Sequence, residues 1–189
     1  MAIDVAVARR LFTREEYHRM GEVGILKETD RVELIRGEII QMSPIGRRHY
    51  AFVNNLGHRL SILLGTRAIV AVQGPIVLAD DTEPEPDIAV IRRRTTSYKE
   101  REAFAEDAFL LVEVAESSLA YDRSTKLRLY AAAGIPEYWV VDCVAESIEV
   151  HRTPHTEGYR EVARITEPTA TVALQAFPDV VLTLAEIFA

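Results

Sequence analysis

The chain has 189 residues, 48% hydrophobic and 27% charged, with a net charge of −7 and one cysteine, Cys143. This is ordinary globular usage, with room for a genuine core, so residues 1–189 read as a single domain. A disulfide scaffold and a thiolate zinc cluster are excluded, and the acidic balance argues against a basic coat for nucleic acid, though not against a cleft in which a metal supplies positive charge locally.

No apolar run approaches the roughly 20 residues of a membrane-spanning helix. Asp4, within Met1 to Arg10, stands where a signal peptide carries positive charge, so a cytoplasmic protein is the expectation. Thr13-Arg14-Glu15-Glu16 fits a capping box and predicts a short helix to about Met20, followed by a loop from Gly21 to Asp30. Alternation on either side of Arg36-Gly37 predicts a hairpin of Val32 to Ile35 and Glu38 to Met42. From Arg47 to Leu64 the spacing becomes helical, with His49, Val53, Leu56, Leu60 and Leu63 or Leu64 on one stripe.

Strands are predicted next at Ala68 to Val72, Ile76 to Leu78 and Asp87 to Ile91. Pro86 holds Glu85 extended and delivers Asp87 at the last strand's first position. A polar segment leads to a strand from Phe109 to Ala115. A helix then runs from Asp122, as its cap, to Gly134, a residue suited to stop it. Strands at Tyr138 to Val141, Ile148 to Val150, Tyr159 to Ile165 and Thr171 to Leu174, and a helix near Leu184 to Phe188, complete the order. The mixture predicts an α+β fold with one curved sheet flanked by helices.

Two acids stand out. Asp87 enters the apolar run Ile88-Ala89-Val90-Ile91, and Glu113 lies inside Leu110-Leu111-Val112-Glu113-Val114-Ala115. An ionised carboxylate in a buried strand is costly unless a cation or a set of donors receives it. Each alone reads as a structural ion pair; together they point to a divalent-metal site. Mg2+ or Mn2+ takes oxygen ligands and keeps several waters, so one or two carboxylates suffice.

Lys126 falls on the helix face of Leu129, Tyr130 and Ala133, where it must either snorkel or reach a buried anion such as Glu113. Such a lysine can orient a water or offset charge in phosphodiester cleavage. Glu33, between Val32 and Leu34, fits either a half-exposed hairpin or a third acid of the site. His49 is either a core histidine or a neighbour of the site, and Arg47-Arg48 and Arg92-Arg93-Arg94 are either phosphate contacts or solvated element ends. Phosphate-loop, dinucleotide, nucleophile-elbow and zinc-protease motifs are absent from the sequence.

With these residues in view, the chain resembles the Uma-two family of the restriction-endonuclease-like, PD-(D/E)XK superfamily. The most specific stretch is Asp122-x3-Lys126-x3-Tyr130-x3-Gly134-Ile135-Pro136-Glu137-Tyr138-Trp139-Val140-Val141-Asp142. Val32-Glu33-Leu34-Ile35-x-Gly37-Glu38, His49, Pro86-Asp87-Ile88-Ala89-Val90, Leu111-Val112-Glu113-Val114 and the ending Phe177-Pro178-x3-Leu182-x-Leu184-x-Glu186-Ile187-Phe188 support it in the expected order. The resemblance implies a restriction-endonuclease-like core and a Mg2+-dependent (or Mn2+-dependent) endonuclease acting on DNA. Asp87, Glu113 and Glu33 would hold the metal, Lys126 would act as the catalytic lysine and His49 would stand behind them.

The pattern departs at Ala115, where the motif would carry lysine; Lys126 would replace it from the following helix. A DNA- or protein-binding module that keeps the fold without cleaving is the alternative expectation, and a hydrolase of another phosphate ester is a third. A homodimer is expected because two-fold symmetry is the commonest arrangement and suits duplex cleavage.

Overall fold

The computed structural model describes residues 9–27 and 29–189; residues 1–8, on which the reading of the N-terminus rested, lie outside it. The Thr13 hydroxyl accepts the Glu16 N–H and the Glu16 carboxylate accepts the Thr13 N–H, closing the expected capping box. The helix it opens, α1 (Arg14–Glu22), buries no side chain. Polar contacts hold it instead, among them the Tyr17 hydroxyl donating to the Val32 carbonyl at 3.0 Å.

The hairpin pairs β1 (Val32–Ile35) with β2 (Glu38–Gln41), Ile35 opposite Glu38. Its two turn residues, Arg36 and Gly37, both have positive φ (50° and 76°), as a two-residue hairpin turn requires. Glycine is needed at 37 twice over, since a Cβ there would lie 2.6 Å from that of Leu11.

Helix α2 (Arg47–Leu64) has the expected bounds and buries Phe52, Val53, Leu56, Gly57, Leu60 and Leu64, while Leu63 is exposed. It lies across a six-stranded sheet of β3 (Ala68–Val72), β4 (Ile88–Arg92), β5 (Ala108–Ala115), β6 (Glu137–Asp142), β7 (Ser147–His155) and β8 (Gly158–Ile165), in that spatial order. Neighbours pair antiparallel except β5 and β6, which are parallel.

One sheet face carries Ile88, Val90, Leu110, Val112, Val114, Trp139 and Val141 against α2 and the C-terminal segment. That segment contains the β9 (Thr171–Ala173) and β10 (Val181–Thr183) pair and α5 (Leu184–Ile187). The other face carries Ala89, Ile91, Leu111, Tyr138 and Val140 against Tyr130, Ala131 and Ile135. Those last three belong to a helical run built of α3 (Leu119–Tyr121), a π-turn (Asp122–Lys126) and α4 (Leu127–Ala132), and to the turn after it, where Gly134 has φ +76°. The arrangement is the expected α+β fold: a mixed central sheet with flanking helices.

Two expectations fail locally. Ile76 to Leu78 forms no strand; Val77 makes one isolated bridge to Phe104, while the Ile76 and Leu78 amides donate to Pro84 and Thr82. Gln73, with φ +51°, bends the chain out of the ladder just before it, so the apolar run is buried in a loop. Asp122 does not cap a helix. It has helical φ/ψ inside the run, and Ser118 stands at the N-cap position instead.

Candidate active site

The β4–β5 register builds the site. Ile88 pairs with Val112, so one step back along β4 sets Asp87 beside Glu113 at the end of the ladder. Strand alternation puts Glu113 on the same face as Leu111, the face covered by α4. Asp87 is fixed through both oxygens. The Val114 backbone N–H donates to Oδ2 at 2.9 Å, and His49 Nε2 lies 2.9 Å from Oδ1 with the Gln73 side-chain amide at 3.5 Å. A ring nitrogen facing a carboxylate oxygen carries the proton, so His49 is the donor; its Nδ1 is buried without a partner among the described residues. Thus α2 supplies a histidine that orients Asp87.

Lys126 does not snorkel. Its side chain is 5% exposed, and Nζ donates to Glu113 Oε1 at 2.9 Å and to Glu33 Oε2 at 3.0 Å. The approach to Glu113 is the one expected; the second partner is Glu33, while Asp87 pairs with His49 instead. Glu113 Oε1 also accepts the Tyr130 hydroxyl at 2.6 Å, and Glu33 Oε2 accepts the Glu85 amide at 3.2 Å. The hydrogen bonds to Glu113 use one oxygen, and Glu113 lines the cavity described next.

Four buried acids face a cavity of about 470 Å3: Glu33, Asp87, Glu113 and Asp122. Asp122 was missed as a site residue. Its Oδ2 accepts the Ser118 hydroxyl at 2.6 Å, and the i,i+4 spacing to Lys126, which puts both on one helix face, was the signal that could have found it.

The electrostatics show an excess of negative charge. Burial drives Glu113 well above the ordinary carboxylate range against the opposing pull of Lys126, with Asp122, Asp87 and Glu33 adding to the rise. Burial also pushes Asp122 up to about 6, opposed by the Ser118 hydrogen bond and Lys126. For Lys126, burial acts to lower the pKa, but Glu113, Glu33 and Asp122 together outweigh it and the ammonium is held above its usual value.

An all-oxygen donor set with surplus negative charge fits a hard divalent cation, and the cavity has room for the waters such an ion retains. Among the described residues, the group whose ligand atoms all lie within 4.8 Å of one another is a different one: His18, Glu83 and Glu102. Glu33, Asp87 and Glu113 are spread more widely, with Lys126 between two of them. At the His18 cluster, Arg14 lies 2.5 Å from Glu83 and 2.6 Å from Glu102, so a guanidinium already provides the cation and ties α1 to the body.

The basic patches also separate. Arg94 is bound to Asp107 and Arg92 lies over the Phe109 ring, so that patch is part of the local structure. Arg47 and Arg48 are exposed at the start of α2, beside the cavity-lining Gly46 and His49.

The sequence profile of the family described as "Uma2: Putative restriction endonuclease" matches residues 14–185. Among solved structures, the chain is similar to one titled as a putative nuclease belonging to DUF820 from Anabaena variabilis ATCC 29413. That likeness has 20% identity, a TM-score of 0.74, and coverage of 94% of this chain and 97% of the other. No curated protein matches it.

Proposed function

The chain belongs to the Uma2 family, described as putative restriction endonucleases, and from that premise we propose that it is a divalent-metal-dependent endonuclease hydrolysing DNA phosphodiester bonds. One observation carries this reading: four buried carboxylates surround a single cavity that holds one lysine. A structural ion pair needs one acid for one base. The surplus suits a site completed by Mg2+ or Mn2+, with Asp87 and Glu113 as principal ligands and Glu33 and Asp122 contributing charge.

A bound divalent ion would supply Lewis-acid polarisation of the phosphate and offset the charge that develops on it. The protein's own groups do the rest. His49 and the Val114 amide hold the Asp87 carboxylate in one orientation. Lys126, protonated and gripped by Glu113 and Glu33, presents its remaining N–H to the attacking water or to the phosphate oxygens. The water oxygen adds to phosphorus as the ester P–O bond breaks; the attacking water gives up one proton to solvent and the departing oxygen takes one from solvent. Arg31 in the cavity lining, with Arg47 and Arg48 beside it, offers positive charge to flanking phosphates in a protein that is otherwise acidic.

Two measurements test this. Calorimetric titration with Mg2+ or Mn2+ gives binding to the wild type and loss of it in Asp87→Ala. Supercoiled plasmid is nicked with the metal and left intact with EDTA. Metal binding without nicking would leave the fold as a binding module, and absence of both would end the enzyme reading.

A further inference from the structure

The hydroxyl of Tyr121 is buried and has no hydrogen-bond partner among the described residues. The tyrosines packed nearby differ. Tyr130 donates to Glu113, Tyr138 to the Asp122 carbonyl and Tyr159 to the Ile135 carbonyl. Buried donors left unpaired are uncommon in proteins, and one that lines a ligand cavity calls for an explanation. Tyr121 lines the same cavity as Asp87, Glu113, Asp122 and Lys126.

The backbone supplies an independent observation. In a regular α-helix, residues 121 and 126 would point about 140° apart. The chain instead makes a π-turn over Asp122–Lys126, in which the Leu127 N–H reaches back five residues to the Asp122 carbonyl. That inserted residue swings Tyr121 round toward the side of Lys126. Such turns inside α-helices recur at functional sites, and this one leaves the apolar stripe of Leu129 and Tyr130 undisturbed further on.

We propose that Tyr121 is a substrate-contacting residue of this cavity, its phenol donating a hydrogen bond to a nonbridging oxygen of the bound phosphodiester. The proposal rests on the nuclease reading above and adds a neutral donor to it. A phosphate entering a cavity walled by carboxylates needs donors to hold it. Lys126 has one N–H left after Glu113 and Glu33, and His49 is committed to Asp87. Burial, then the nearby Glu33 charge, pushes the Tyr121 phenol up to about 12, so it keeps its proton at neutral pH.

The test compares wild type, Asp87→Ala, Tyr121→Phe and Tyr130→Phe in three assays. These are Mg2+-dependent cleavage of a labelled DNA duplex, anisotropy with a phosphorothioate duplex in Ca2+, and thermal melting. Tyr121→Phe is expected to weaken duplex binding about fivefold, the effect of one neutral hydrogen bond. It should slow cleavage about 100-fold, as for other preorganised donors, and leave the pH profile unchanged in shape. Its melting temperature should not fall, because no protein partner loses a bond, whereas Tyr130→Phe should melt lower. Tyr121→Phe cleaving and binding like wild type, while Asp87→Ala is inactive, overturns the Tyr121 role alone. So does a melt lowered as far as that of Tyr130→Phe. A wild type that neither cleaves nor binds overturns the nuclease reading and this proposal with it.

Discussion

Asp87 accepts the backbone amide of Val114 at 2.9 Å, so the acid that leads into β4 is held by the residue that follows the acid of β5. The two carboxylates are therefore linked through one peptide unit, and neither can move along its strand without the other. With His49 on the second Asp87 oxygen, the carboxylate is oriented before any ligand arrives.

This fixes what Asp87→Asn should do. The amide oxygen can still accept from Val114 or His49, so the fold should survive, with a thermal melt close to wild type. The lost charge should lower Mg2+ affinity by more than ~100-fold, beyond the range for residues behind the ligands. Calorimetry on both proteins reads the difference.

For His49→Ala, the carboxylate stays but its orientation loosens. Metal affinity or cleavage rate should fall ~10- to 100-fold, the usual effect of removing a group that orients a ligand. An unchanged rate at saturating metal would mean that the His49–Asp87 contact is packing alone.

Lys126→Met would strand two buried acids. Breaking a buried ion pair from one side costs about 3–5 kcal/mol, and here one ammonium serves both Glu113 and Glu33. Urea denaturation should show a loss of that order. Combining Lys126→Met with Glu33→Gln should recover part of it, because one uncompensated charge is gone. Both variants should lack nicking activity.

The raised Asp122 pKa makes a signed prediction for stability in EDTA. Its folded-state value of about 6 exceeds the ordinary 3.8. The native state therefore binds the proton more tightly than the unfolded chain does. Its contribution is fully present below about 4 and is lost as pH rises through about 6. Asp122→Asn should remove that slope and be more stable than wild type at pH 7, by about 1–3 kcal/mol. Denaturation midpoints at pH 4 and 7 check it: the gap between the two proteins should narrow sharply toward the acid end.

Much of the fold was legible because the signals are local. The Thr13–Glu16 box, the Arg36-Gly37 turn and the α2 stripe each rest on contacts within a few residues, and each formed with close to the expected bounds. Asp87, Glu113 and Lys126 stood out because a charge in an apolar stretch is conspicuous; Glu33 and His49 read equally as a half-exposed hairpin and a core histidine and joined them through the resemblance, and all five line one cavity. Asp122 carried only its i,i+4 spacing to Lys126, a signal outweighed by its reading as a helix cap. Tyr121 was not legible: its placement depends on a π-turn that shifts the helix by one residue, and no propensity in Asp-Arg-Ser-Thr-Lys announces it. Ile76 to Leu78 misled for the reverse reason: an apolar run says buried, and only the turns around it say that it is no strand.

The five gathered residues lie far apart along the chain, from Glu33 to Lys126, and the central pair needs β4 and β5 already zipped together. During synthesis no nascent segment ending before the helix that carries Lys126 can hold the whole constellation. The proposed cleavage would therefore emerge abruptly, only once the chain has been made past Lys126, with β3, β4 and β5 in place and β6, β7 and β8 still to follow.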